Sequence, residues 1–119
     1  MADLAGLRVL VVEDEGPVAL LIEDLLEDLG FELAGSVAGL EQAFQILGSS
    51  PFDFAVLDVN LGGVKSFDFA RALIRKGTPF IFSTGYGNSS LPADLCTQPV
   101  LTKPFSSEQL RRAVEQALT

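Results

Sequence analysis

The chain has 119 residues, enough for one domain with a genuine buried core. Its 48% hydrophobic and 20% charged composition excludes a disordered chain, and its net charge of −8 argues against a bare nucleic-acid binder. With no histidine and a single cysteine, Ser–His and Cys–His catalysis, His-ligated metal centres and an intrachain disulfide are all excluded.

The N-terminal MADLAGL carries an acid where a signal peptide has a basic stretch, and no apolar run reaches the roughly 18 residues of a membrane helix. A cytoplasmic protein with no membrane partner is expected. LRVLVV (7–12) is continuously apolar, the pattern of a strand covered on both faces. Pro17 suits the first turn of a helix whose face is Val18, Leu21, Ile22, Leu25 and Leu29, stopped by Gly30. FELAGSV (31–37) reads as a weaker strand. Leu40, Ala43, Phe44 and Leu47 mark a short helix between Gly39 and Gly48. FDFAVLD (52–58) is the third strand, and Phe69, Ala70 and Leu73 carry a third helix ending near Gly77. PFIFST (79–84) is the fourth strand, with Phe80 and Phe82 expected in the core.

Residues 85–99 are rich in Gly, Ser and Asn and hold two prolines, so little helix is expected around 92–97. Cys96 is expected to be a small packing residue. PVLT (99–102) is the fifth strand. Ser106 opens a capping box with Gln109, ahead of a helix face of Leu110, Ala113, Val114 and Ala117. Phe105 is expected beneath that helix, and Arg111 and Arg112 on its solvated side. Five strand–helix alternations imply an α/β fold, a parallel sheet with right-handed crossovers and helices on both faces. A single domain over 1–119 with no output domain is expected.

Ligands of such sheets sit at the carboxyl ends of the strands. Strand one ends at Glu13 and Asp14, strand three at Asp58, strand four at Ser83 and Thr84, and strand five at Lys103. Singly, these residues have plain readings: Asp58 as a turn former, Glu13 and Asp14 as caps, Lys103 as a surface charge. Together they bring three carboxylates, a hydroxyl and one ammonium to a single edge. Two like charges about 4 Å apart repel by about 4 kcal/mol at an effective dielectric near 20. One acid is therefore protonated or a cation sits among them, and Mg²⁺ suits few carboxylates and retained waters. A carboxylate beside Mg²⁺, a hydroxyl and a lysine is a phosphoryl acceptor site, with Asp58 attacking phosphorus.

The segments VLVVEDE, AVLDVNL, FSTGYG and LTKPF, in this order, resemble the receiver domain of two-component response regulators. The resemblance covers essentially the whole chain. It implies a flavodoxin-like (CheY-like) doubly wound five-stranded parallel sheet of order 2-1-3-4-5, with the fourth helix short or irregular. It assigns Asp58 as the phosphorylated aspartate, Thr84 as the switch hydroxyl and Lys103 as the oxyanion lysine. Mg²⁺ would be held by Asp14 directly, Glu13 through water, Asp58, and the Asn60 backbone carbonyl. The Lys103–Pro104 bond resembles one that is usually cis. PFIFSTGYG is similar to the FAT GUY subgroup of single-domain receivers, with Ser83 in place of Ala. That subgroup implies histidine kinases of the HWE or HisKA2 type as partners.

Some positions depart from the receiver pattern. Val100 stands where receivers usually carry an aromatic, Gly62 where many carry proline, and the stretch from Thr84 to Lys103 is short by roughly one helical turn, about 3.6 residues. The expected function is a stand-alone receiver, not an enzyme beyond its own phosphorylation and dephosphorylation. It would take a phosphoryl group from a sensor histidine kinase or phosphotransfer protein and signal by contact with a downstream protein, or act as a phosphate shuttle or sink. A monomer or weak dimer is expected. Tyr86 overlooks the site in this reading, and residues 85–98 order upon phosphorylation. The alternative is a haloacid-dehalogenase-like aspartyl-phosphate phosphohydrolase, against which Asn60 stands where those enzymes place a second acid. A flavin-binding module and a docking-only pseudo-receiver are weaker rivals.

Overall fold

The structure is a computed structural model that describes residues 4–85 and 91–118. Its first strand, β1 (Arg8–Val12), is buried from Val9 onward, as its unbroken apolar run requires. Helix α1 (Gly16–Asp28) follows, with Pro17 in its first turn, where a missing N–H costs nothing. It buries Ala19, Ile22 and Leu26, whereas Leu21, expected in the core, is 53% exposed beside Leu20. β2 (Glu32–Val37) and α2 (Leu40–Ser49) come next. Gly35 permits their close contact: a Cβ there would stand 2.8 Å from Ile46 Cδ1, so a larger residue would require the Ile46 side chain to shift.

β3 (Phe54–Asp58) is buried along its whole length and ends on the carboxylate. Two further strands, which the sequence analysis did not anticipate, follow at once: β4 (Asn60–Leu61) and β5 (Val64–Lys65), an antiparallel hairpin. Its turn is Gly62-Gly63, at φ 61° and 96°. Positive φ at both central positions is what a tight two-residue hairpin demands, and glycine supplies it without steric cost. α3 (Phe67–Lys76) ends at Gly77, which is left-handed at φ 74°. β6 (Phe80–Thr84) is again fully buried.

Between β6 and β7 (Val100–Thr102), the described residues hold one 3-10 turn, Ala93–Leu95, in keeping with the expected short or irregular element. Leu95 is fully buried, and Arg71 of α3 grips Asp94 with Nε at 2.8 Å and Nη2 at 3.2 Å. Cys96 is not the packing residue expected. It is exposed, with its thiol donating to the Ala93 carbonyl, because Leu95 already fills the core at this turn. α4 (Ser107–Leu118) is preceded by the reciprocal capping box: Gln109 N–H donates to Ser106 Oγ, and Ser106 N–H to Gln109 Oε1. The Lys103–Pro104 bond is cis.

The sheet order is β2-β1-β3-β6-β7, all pairs parallel. Counting the five long-range strands alone, this is the order 2-1-3-4-5, the flavodoxin-like arrangement expected from the sequence. One core layer joins the sheet to α1 and α4 through Val11, Ile22, Leu26, Val56, Ile81, Leu110 and Val114. The other joins it to α2 and α3 through Leu10, Ala43, Leu57, Phe69, Leu73, Phe80 and Phe82. Phe80 and Phe82 are core residues, as expected, and their rings meet edge to face at 5.3 Å. Phe105 packs against the α1/α4 layer, and Arg111 pairs with Glu108 and Glu115 on its own helix. Among the described residues, no helix is long and apolar enough to cross a membrane.

Candidate functional site

Parallel pairing puts the ends of β1, β3, β6 and β7 along one edge, so residues distant in the chain meet there. The register aligns Val12 with Leu57, Asp58 with Ser83, and Thr84 with Thr102. The residues just past these pairs are Glu13 and Asp14, and Lys103. The edge is tied by the backbone: Glu13 N–H donates to Val37 O at 3.0 Å, Val59 N–H to Ser83 O at 3.0 Å and Lys103 N–H to Thr84 O at 2.8 Å. The site is thus carried by sheet ends rather than by a free loop.

Three carboxylates converge here. Oxygens of Glu13, Asp14 and Asp58 all lie within 4.8 Å of one another. Glu13 and Asp58 are buried, and Asp14 is exposed at the rim. Lys103 Nζ stands 2.7 Å from Glu13 Oε1 and 3.3 Å from Asp58 Oδ2, so one ammonium serves two acids. Glu13 Oε2 accepts from Glu15 N–H, and Asp58 Oδ1 accepts from Asn60 N–H at 3.2 Å. Burial, above all, pushes the Glu13 carboxyl up to about 7; the Lys103 hydrogen bond opposes this, and the neighbouring Asp58 adds to it. For Lys103, burial works against the charged form, but the Glu13 hydrogen bond and the charges of Asp58 and Glu13 outweigh it and raise the ammonium's pKa.

A cavity of about 240 Å³ opens over Asp58, lined also by Asn60, Lys65, Thr84 and Lys103. Thr84 is buried at its floor. The donor set fits a divalent, oxygen-seeking ion: hard carboxylate oxygens close together, one of them exposed, with too few ammonium groups to balance them. Asn60 spends its side-chain oxygen on Gly63 N–H at 2.9 Å, which fixes the hairpin.

The structure therefore brings together Glu13, Asp14, Asp58, Asn60, Thr84 and Lys103 at one pocket edge. Sequence reasoning missed Lys65, which lines the same cavity because the β4–β5 hairpin folds back. The Gly-Gly pair between two short apolar–polar dipeptides was the available signal. Ser83 Oγ, fully buried, has no hydrogen-bond partner among the described residues. Tyr86 and part of the segment expected to order upon phosphorylation lie outside the described residues.

Comparison with known proteins points to one family. Residues 9–115 match the family model described as the response regulator receiver domain. A probable chemotaxis protein CheY of Rhizobium etli is 31% identical over 116 residues, covering 92% of this chain and 90% of its own. The chain spans about half the length of some of the curated relatives it matches, such as the sensory transduction protein LytT of Bacillus subtilis. The solution structure of SdrG from Sphingomonas melonis Fr1 superimposes with a TM-score of 0.86 at 37% identity, covering 100% of both chains. The receiver domain of PhyR from Erythrobacter litoralis gives 0.80 at 27% identity, covering 98% of this chain and 93% of that one.

Proposed function

The chain belongs to the response regulator receiver family of two-component systems, and from that premise we propose that it is a stand-alone receiver that accepts a phosphoryl group on Asp58. The observation that carries this reading is the Asp58 carboxylate at the floor of an open cavity, 3.3 Å from an ammonium and grouped with two further acids. The donor is a phosphohistidine on a sensor kinase or phosphotransfer protein. An Asp58 oxygen forms a bond to phosphorus as the P–N bond breaks, and the electron pair leaves on the imidazole nitrogen. Lys103 holds one phosphoryl oxygen and Thr84 donates to another, so the developing charge meets donors already in place.

Mg²⁺ fits the oxygens of Glu13, Asp14 and Asp58, with the Asn60 carbonyl as a further ligand; when bound, it supplies charge neutralisation at the phosphoryl oxygens. Thr84, at the end of β6, leads directly into residues 85–98, so a bond from its hydroxyl to the phosphoryl group biases that segment toward one arrangement. The output is contact with a downstream protein. The FAT GUY reading is supported by PFIFSTG and by the likeness to SdrG and PhyR, and with it kinases of the HWE or HisKA2 type. The hydrolase reading is not favoured: a carboxamide, Asn60, stands two residues beyond the acceptor, with no second acid there to activate water.

Phosphotransfer from candidate kinases tests this assignment. Wild-type protein should take up acid-stable, alkali-labile label with Mg²⁺ present, and Asp58→Asn should take up none. Label retained by Asp58→Asn would place the acceptor elsewhere, and steady turnover of small phosphate esters would revive the hydrolase.

A further inference from the structure

The β4–β5 hairpin brings a positive charge that the reading above does not use. Lys65 pairs across the hairpin with Asn60, whose backbone N–H is bonded to the acceptor carboxylate. The turn is pinned by its two positive-φ glycines and by the Asn60 side chain on Gly63 N–H. The hairpin thus fixes the backbone of Lys65 relative to Asp58, much as a strand end would. Lys65 is exposed and lines the cavity, and its ammonium has no hydrogen bond or ion pair among the described residues. Lys103, by contrast, is already engaged by Glu13 and Asp58.

A phosphoryl group entering this cavity brings about two negative charges to a place that already holds three carboxylates. Lys103 and a bound Mg²⁺ together only balance those carboxylates, leaving the charge of the phosphoryl group itself unmet. A lysine is a compact charge with three donors on a flexible four-carbon stem, suited to meeting an oxyanion rather than to building a rigid fork. We propose that Lys65 is a second phosphoryl-binding cation of this site, drawing the donor's phosphoryl group into the cavity from the hairpin side and holding one of its oxygens while Asp58 attacks. This rests on the assignment of Asp58 as acceptor. The ligand class is a phosphoryl anion carried on nitrogen, whether on a protein imidazole or on a small phosphoramidate.

The full chain is tested with phosphoramidate and MgCl₂, following the initial rate of Asp58 phosphorylation by intact mass, with Mg²⁺ affinity measured separately by calorimetry without donor. Lys65→Ala should slow phosphorylation about tenfold, the scale of one lost charge-assisted hydrogen bond. Lys65→Arg should stay within about twofold of wild type, since the charge is kept. Lys65→Glu should be slower than Lys65→Ala and should weaken the fall of rate with added salt. Mg²⁺ should bind Lys65→Ala at least as tightly as wild type, because a like charge has left the metal's surroundings. A merely structural lysine would move both ligands the same way, so loss of Mg²⁺ affinity in parallel with rate overturns the proposal. So does an unchanged rate in Lys65→Ala and Lys65→Glu. Wild-type protein that takes no label, or Asp58→Asn that does, would instead sink the acceptor assignment.

Discussion

Burial gives Glu13 a pH signature. Its ordinary value is 4.5, and burial lifts it to about 7 in the folded protein despite the pull of Lys103. Between those values the folded state holds more protons than the unfolded chain. The contribution of Glu13 to stability is therefore fully present below about pH 4.5 and is lost as pH rises through 7. The size is about 3 kcal/mol at most, from the cost of one pKa unit. Without metal, the melting temperature should fall over this window; Glu13→Gln should remove most of that slope, and millimolar Mg²⁺ should flatten it in the wild type. Ser83 supports a second test. Its buried hydroxyl lacks a partner among the described residues, so Ser83→Ala should be neutral or stabilising by about 1 kcal/mol in urea unfolding. The acids, the threonine and the lysine were legible in the sequence because each ends a strand that reads clearly. Which acid Lys103 prefers was not, since that depends on side-chain reach. Nor was the exposure of Cys96, which turns on which neighbour fills the core.

At the scale of elements, every strand of the main sheet was read correctly, down to the three residues of β7, and only the two-residue strands were missed. β1, β3 and β6 are continuous apolar runs, and α4 declares its start through Ser106 and Gln109. The β4–β5 hairpin gave little signal, because two-residue strands cannot display a period of two. What holds it is backbone conformation. Gly63→Ala places a Cβ at φ 96°, where no side chain crowds it but the backbone itself resists. The expected cost is about 1–2 kcal/mol in chemical denaturation. Because the same turn aims Asn60 and Lys65, the variant should also phosphorylate more slowly under conditions where it is fully folded. Leu21 is the exception among five apolar positions that fitted one helical stripe: Ile22 is buried and Val18, Leu25 and Leu29 pack against the core, while Leu21 lies 53% exposed at the stripe's edge.

For the whole molecule, the alternation of strand and helix was enough to yield the topology, because parallel strands need crossovers and crossovers have one hand. The order of the strands came from the family resemblance, and the sheet shows the same order. Bringing the ends of four strands to one rim has a further effect. The bond between Glu13 and Lys103 spans 90 residues of chain, and that between Asp58 and Lys103 spans 45. During synthesis the acids emerge first and their ammonium counterpart long afterwards. A growing polypeptide that stops short of residue 103 holds the repulsion without its remedy. The pocket is thus among the last features to become whole, and a half-made copy carries the acids without the charge that holds them together.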